Sequence, residues 1–594
     1  MSGYEEEVLG KVYDHVLMRR LLKYTRPYTK QIVVAILALL LVAGLQLIQP
    51  RLTQIGIDEY ISTGDIGGLK WIIALYAMIL LTNFFVHLGR QYLMEWIGQQ
   101  IMFSLRRDIF GTLQHLPLSF YNRTPVGRLI TRVTTDVQSL NELFTSGLVA
   151  IFSDIIILIG IIILMLSMNW QLALAAMVVL PILFVATFIF KRKVRDVFRM
   201  IRTRIARINS YMQENISGMA VVQIFNREQK NFEQFDKLNA SHLDAFLKTI
   251  FYFAVFFPLV SFIGALSTAI IIWYGGGQII ADELTFGGLV AFLQYSTMFF
   301  RPISDLSEKL NILQAAMAAS ERVFSLLDEK PEEDSGSLIL PPDYRCRGEI
   351  TFENVWFAYQ DENWILKDIS LEINAGEKVA IVGATGAGKS TIINLIARFY
   401  TIQKGRITLD GRNIKDYELQ SLRRQIGIVL QDVFLFAGTI ADNISLGNPE
   451  ISREKIVEAA RYVNALDFIE KLPDGFDTEV KERGATLSVG QKQLLSFARA
   501  LAFNPSILIL DEATSSIDTE SEILIQKAME KLIENRTSII IAHRLSTIQN
   551  ADKIVVLHKG EIREIGSHSE LLRLNGLYAR LYELQFIGQE VRTG

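Results

Sequence analysis

Cysteine is all but absent: the 594-residue chain carries one, Cys346, so no internal disulfide can form. With no histidine or asparagine suggested beside it, it reads as an inert thiol rather than a nucleophile. Charge is sparse as well. Only 21% of residues are charged, 50% are hydrophobic, and the mean hydropathy is +0.27. That excludes a wholly soluble protein of ordinary composition and describes a membrane portion diluted by a soluble one. The net charge of −3 says little about partners, because it averages over strong local asymmetry. The opening MSGYEEEVLG is acidic and precedes no cleavable apolar core, so no signal or transit peptide is expected. Length alone suggests about four domains.

What is present divides the chain. Apolar residues crowd positions 30–318 and thin out afterwards. Six runs approach the length needed to cross about 30 Å of hydrocarbon, which takes about 20 helical residues. They are Gln31–Pro50, a stretch near Leu69–Gly98, Leu143–Met168, Trp170–Lys191, Lys248–Ile280 and a stretch near Phe286–Phe300. Six such runs with few charges predict a membrane-spanning bundle rather than a buried soluble core.

The loops orient it. No lysine or arginine lies in the loop holding Asp58, Glu59 and Asp65, nor in the loop holding Asp282 and Glu283. The opposite side carries Arg106, Arg107, Arg123, Arg128 and Arg132, then Lys191, Arg192, Lys193, Arg195, Arg199, Arg202, Arg204 and Arg207. Positive charge stays in the cytosol, so both termini are expected there. Residues 1–28 form a tail and an amphipathic elbow, with Leu17–Tyr28 lying on the inner leaflet. Residues 29–325 form the membrane domain. Its long cytosolic stretches, 104–137 and 192–245, are helical extensions of the spans. Residues 326–347 contain the acidic, proline-rich DEKPEEDSGSLILPP, a linker composition. From 348 to 588, short apolar runs such as Lys378–Val382, Gly427–Leu430 and Ile507–Leu510 alternate with helical stretches. This predicts an α/β domain with a largely parallel sheet.

Residues Gly383–Ser390 read GATGAGKS, between the strand-like KVAIV and the helix-like TIINLIARF. This is the phosphate-binding P-loop pattern in its required context. Gly383, Gly386 and Gly388 leave backbone N–H groups free to meet phosphate oxygens, with Thr385 between them. The helix start adds its positive dipole end. Lys389 supplies a point charge, Ser390 a hydroxyl for Mg²⁺, and Thr391 follows. Further on, ILILD describes a buried strand ending in Asp511, near Mg²⁺, with Glu512 placed to polarise the attacking water.

The C-terminal part resembles the nucleotide-binding domain of ABC transporters. Its signature reads Leu487-Ser488-Val489-Gly490-Gln491. The whole chain resembles a type IV (type I exporter) ABC half-transporter of the multidrug and lipid A exporter group. The resemblance implies a six-span α-helical membrane domain, an α/β P-loop ATPase domain with a helical subdomain, and ATP with Mg²⁺ as ligands. It also implies roles. Tyr359 would stack on adenine. Ser488, Gly490 and Gln491 would meet ATP bound to a partner. Gln431 would reach Mg²⁺ and His543 the γ-phosphate. Thr478–Gly484 resembles the X-loop, Ser515–Asp518 the D-loop, and Phe120–Asp136 and Glu214–Glu228 the two coupling regions.

Such a domain sandwiches ATP against a second half, so a dimer in a lipid bilayer is expected and a nucleic-acid partner is not. Glycine is common in the family where this chain has Val489. Glycine gives backbone freedom and close approach, and valine costs some of both. An altered signature beside an intact Glu512 favours a heterodimer with unequal sites over a homodimer. The cargo is expected to be a small amphipathic compound, drug or lipid, crossing a bacterial cytoplasmic membrane. A lipid or peptide flippase or exporter working as a homodimer is the alternative, with an ATP-gated regulatory or channel-like membrane protein as a further class. For cargo contact the candidates are Asp154 and Arg51, as intramembrane or near-membrane charges, and Phe299. Asp154 equally suits a pairing role inside the bundle.

Overall fold

The computed structural model describes residues 14–341, 343–511, 519–542 and 545–583. It divides into two compact units. One comprises residues 1–114 and 125–329; the other comprises residues 115–124 and 330–594. The connection between the second and third long helices therefore belongs to the second unit.

The first unit is helical. Helix α1 (His15–Lys23) is capped by Asp14, whose carboxylate accepts from the N–H of Val16 and Leu17. Arg20 on α1 makes two hydrogen bonds to Asp328, at 2.6 and 2.7 Å. Then come α2 (Arg26–Ile61), α3 (Ile66–Gln114), α5 (Val126–Met168), α6 (Trp170–Ser217) and α7 (Glu228–Ile280), with the short α4 (Leu118–Arg123) between α3 and α5. All five long helices are long and apolar enough to cross a membrane. The sixth expected span is the first part of α8 (Phe286–Leu327), where the apolar stretch Phe286–Phe300 is shorter than the other five. These helices turn large side chains outward: Trp71, Phe85, Phe184 and Trp273 are all exposed. Apolar surface on that scale is a lipid-contact surface.

α5 is not a uniform α-helix. Residues Arg132–Asp136 and Leu143–Gly147 are π-helical turns. Each admits an extra residue and re-aims the helix face beyond it. Among the described residues, two ion pairs then join α5 to α8. Arg322 holds Asp136 through two hydrogen bonds of 3.0 and 2.5 Å, and Lys309 holds Asp154.

Among its described residues the second unit has two large sheets and a two-stranded ladder. Strands β1 (Ile350–Ala358), β2 (Trp364–Ile373), β4 (Lys404–Leu409) and β5 (Arg412–Asn413) form an antiparallel sheet in the order β2-β1-β4-β5. The second sheet comprises β3 (Lys378–Val382), β6 (Ile426–Val429), β9 (Ile507–Asp511), β10 (Thr537–Ile541), β11 (Lys553–His558) and β12 (Glu561–Gly566), ordered β12-β11-β3-β10-β9-β6. All its pairings are parallel except β11–β12. A small ladder joins β7 (Gly438–Thr439) to β8 (Glu479–Val480). The sequence predicts the parallel sheet because strands buried on both faces read as continuous apolar runs, as in KVAIV and ILILD. The antiparallel sheet, whose strand β2 alternates buried with more exposed residues, is a finding of the structure.

Candidate functional site

Ligands of parallel sheets gather outside the carboxyl ends of the strands. Here those ends bring the predicted motifs to one edge. Val382 ends β3 and leads into the P-loop; Asp511 ends β9; β6 ends two residues before Gln431; and β10 ends two residues before His543. Glu512, His543 and the expected D-loop Ser515–Asp518 lie outside the described residues.

The P-loop backbone explains two of its glycines. Gly383 has φ 156°, and a Cβ there would sit 2.2 Å from the carbonyl oxygen of Leu557. Gly388 has φ 105° at the cap of the helix Lys389–Ile396, and a Cβ would meet Leu366 at 2.7 Å. No other residue type fits either position without moving its neighbours. Thr385 and Gly386 are exposed between them. The Lys389 ammonium is tucked back into the loop, donating to the carbonyls of Gly383 at 2.7 Å and Ala384 at 3.2 Å. Burial pulls its pKa below the ordinary lysine value, while the Asp511 carboxylate acts in the opposite direction. Ser390 is exposed one residue on. A bare-backbone nest, an ammonium, an exposed hydroxyl and a strand-end carboxylate suit a phosphate ester with a hard, oxygen-seeking cation.

Tyr359 is held beside this helix. Its hydroxyl lies 3.1 Å from that of the buried Thr391 and accepts from Asn394 at 3.3 Å. Its ring meets Phe357 and Tyr400 edge-on, each at 4.9 Å between centroids, and is 43% exposed. An anchored, exposed aromatic beside a phosphate loop can stack on a base.

The signature forms a helix start. Ser488 caps the helix Val489–Phe503, its hydroxyl accepting from the Gln491 N–H at 3.2 Å while the Gln491 side chain accepts from the Ser488 N–H at 3.0 Å. This reciprocal box satisfies two otherwise orphaned donors. Gly490 is buried, whereas Val489 is 57% exposed. Val489 occupies the first helical position and has no left-handed backbone. The expected cost in backbone freedom is therefore corrected: the fold does not demand glycine here, and any effect of valine falls on what approaches the helix from outside.

Arg499 on the same helix escaped the sequence reading. Its guanidinium donates to the carbonyls of Asn443 at 2.8 Å and Phe434 at 3.1 Å, tying the signature helix to the segment following Gln431. Burial lowers its pKa from the ordinary arginine value. Only an arginine within the mostly apolar second half of the helix hinted at it. In Thr478–Gly484, the expected X-loop, Gly484 donates to the Lys481 carbonyl at 2.8 Å and Arg483 adopts φ 55°.

The three membrane candidates do not converge. Asp154 is paired with Lys309, their side chains 23% and 15% exposed. Arg51 is exposed and donates to Gln54 at 2.5 Å, one turn along its own helix. Phe299 packs against the cluster around Phe292 and Tyr295 and meets Phe300 edge-on.

Two family models match: the ABC transporter transmembrane region over residues 32–303 and the ABC transporter model over residues 366–515. An uncharacterized ABC transporter ATP-binding protein, YknV of Bacillus subtilis, is 40% identical over 98% of this chain and 96% of its own length. The chain belongs to the ABC transporters. An ATP-dependent lipid A-core flippase of Syntrophus aciditrophicus is 39% identical over 97% of this chain and 96% of its own. Among solved structures, a bacterial Atm1-family ABC exporter with ATP bound superposes with a TM-score of 0.76 at 31% identity, covering 96% of this chain and 99% of that one. With one membrane domain and one ATPase domain, this ABC transporter is a type IV (type I exporter) half-transporter, an ATPase coupled to transport.

Proposed function

We propose that this half-transporter exports amphipathic compounds, lipid or drug, from the cytosolic side of a bacterial cytoplasmic membrane by alternating access. The observation that carries the reading is the single sheet edge gathering the P-loop, Gln431 and Asp511, while the capped Ser488 helix presents its start to the outside. A P-loop from one half and a Ser488 helix from the other enclose one ATP, so two sites form only in a dimer. Lys389 and the loop amides bind the β- and γ-phosphates. Ser390, Gln431 and Asp511 hold Mg²⁺, which supplies charge neutralisation at the transferring phosphoryl group. Glu512 accepts a proton from the attacking water, and His543 contacts the γ-phosphate. Tyr359 stacks on the base. Dimer closure and hydrolysis bias the membrane half between its two facings. The basic residues of 104–137 and 192–245 favour a cytosolic location for both termini. An amphipathic cargo is supported by the exporter architecture and by the flippase relative named above.

The second half is a different chain. Val489 is exposed on the first turn of the signature helix, where a partner's ATP site would approach, and Glu512 is retained. The purified chain alone is therefore expected to be a poor ATPase, active once its partner is co-expressed. Stable dimers of the chain alone with strong ATPase activity would sink the heterodimer. Because position 489 is helical and exposed, Val489→Gly should leave folding intact. It should raise turnover in the assembled transporter roughly threefold, about 0.65 kcal/mol of barrier. Phosphate-release assays on both forms measure this. Uptake of alkyl phosphates, phosphocholines and trimethylammonium compounds into inverted vesicles tests the cargo; no ATP-dependent uptake of any class would count against export of amphiphiles.

A further inference from the structure

One face of α3 is buried along much of its length. Ile79, Met94, Ile97 and Ile101 are buried on it, and the half-buried Asn83, Val86 and Arg90 fill the gap at the same three-to-four-residue spacing. Two of these three are polar. At about 100° per residue, Asn83 and Arg90 project within about 20° of one another. Phe84, Phe85 and Leu88, to either side, are exposed. Aromatic rings mark the depth. Trp71 stands near one end of the span, and Trp96, edge-on to Tyr28 at 5.7 Å, stands near the other. Such rings sit at the two membrane surfaces. At about 1.5 Å per residue the two tryptophans are about 37 Å apart, Arg90 is about 9 Å in from Trp96, and Asn83 is about 20 Å in, at the midplane.

Both polar side chains lack an acceptor. The Arg90 Nε and the Asn83 amide nitrogen are buried without a hydrogen-bond partner. Among the described residues, the Arg90 guanidinium makes one hydrogen bond, donated from Nη2 to His87 Nδ1 at 3.3 Å. That bond steadies the arginine without neutralising it. The nearest acid along the helix, Glu95, projects about 140° away and accepts from Gln99. A charge at this depth is costly and marks a functional site by default. A buried donor left unpaired is costly too. Both costs are met by one kind of group, an acceptor that carries negative charge.

We propose that Arg90 and Asn83 form a headgroup site on α3 for a phosphate-bearing amphiphile as cargo. The proposal deepens the export reading above and rests on it. A phosphate accepts two parallel hydrogen bonds from a guanidinium, whereas a trimethylammonium head has no acceptor to offer. The alkyl chain meets Phe84, Phe85 and Leu88 beside the stripe, so charge and chain find partners on one helix. With the Trp96 end cytosolic, as the basic loops favour, the phosphate meets Arg90 first. The uncharged Asn83 amide then gives it a second, weaker donor at the midplane.

The test uses the assembled transporter in inverted vesicles, with radiolabelled dodecyl phosphate and dodecyltrimethylammonium, which share a chain. The readout is the ratio of their ATP-dependent uptake rates below saturation, because a folding defect lowers both rates and leaves the ratio alone. Arg90→Gln is expected to lower the phosphate-to-ammonium ratio about tenfold or more, and Asn83→Leu about threefold. Arg90→Lys should fall between the parent and Arg90→Gln, since an ammonium keeps the charge but not the paired contact. Equilibrium binding of dodecyl phosphate to the transporter in nanodiscs, without ATP, should weaken by the same factors, and equimolar inorganic phosphate should not displace it. A ratio within about twofold of the parent in Arg90→Gln would overturn the proposal. So would displacement by inorganic phosphate, which makes this a site for the free ion. An unchanged ratio, with phosphatidylglycerol copurifying with the parent but not with Arg90→Gln, would make it a resident-lipid site and overturn the cargo role. If the parent takes up neither amphiphile, the export reading fails by itself. Dodecyl phosphate binding that is lost in Arg90→Gln then still places the anion at Arg90, and unchanged binding removes it.

Discussion

Alanine at position 389 is expected to cut ATP turnover roughly 100- to 1,000-fold, about 2.7–4 kcal/mol of transition-state stabilisation. The Lys389 ammonium is buried and already fixed on the Gly383 and Ala384 carbonyls, so it acts without reorganising the loop. Phosphoryl transfer asks the protein mainly for positioning and charge, and under the proposed function the Lys389 cation would supply both. Arginine should not substitute. Its planar guanidinium is too broad for a loop in which Gly383 and Gly388 leave no room even for a Cβ, and it cannot act as a compact point charge. Phosphate release measured on Lys389→Ala, Lys389→Arg and the parent transporter checks this, with thermal unfolding as the control for folding. A Lys389→Ala variant that folds and keeps about a tenth or more of the parent rate would show that Lys389 is a strut of the loop and not a stabiliser of transferring charge.

The features legible in the sequence are those encoded within a few consecutive residues. A P-loop is a strand, a bare turn and a helix in a row, so GATGAGKS carried its fold context and its chemistry together. The strand ILILD likewise announced a buried strand with an acid at its end. Most spans were readable because an all-round apolar helix has only one common solvent. The sixth was harder, since its apolar stretch stops at Phe300 while the helix runs on to Leu327. Contacts between distant segments were not readable. Nothing in a window around Asn122 points to its hydrogen bond with Tyr400, nor anything around Glu332 to its ion pair with Arg423. Val489 shows the complementary limit. Its identity was noticed, but only its place on the first turn of a capped helix tells where its effect can fall. The π turns of α5 mattered similarly. One inserted residue turns a helix face by about 100°, so counting from Leu143 could not say which way Asp154 points.

That direction makes the second large prediction. Asp154→Ala strands the Lys309 ammonium inside the helical bundle, and Lys309→Ala strands the carboxylate. Each single change should destabilise the membrane half by about 3 kcal/mol, the cost of a largely buried charge deprived of its partner. Replacing both at once, as Asp154→Leu with Lys309→Met, removes the pair without leaving either charge behind. It should recover most of the loss, since a buried ion pair and a well-packed apolar pair are often close in energy. Heating detergent-purified variants and measuring the fraction that stays monodisperse gives the comparison as a double-mutant cycle. Additive losses in the double variant would break the assignment of the pair. Cargo contact makes a different forecast: Asp154→Asn would spare stability and selectively lose uptake of trimethylammonium compounds. The pair forecasts the reverse, with stability lost and uptake of phosphates and ammonium compounds reduced together. Because α5 and α8 are also joined by Asp136 and Arg322, loss of the Asp154–Lys309 pair leaves that fastening in place. The helices should then separate more easily at the Asp154 level than at the Asp136 level. Cysteine cross-linking at the two levels, in the Cys346→Ser background, would register that difference even where overall stability is little changed.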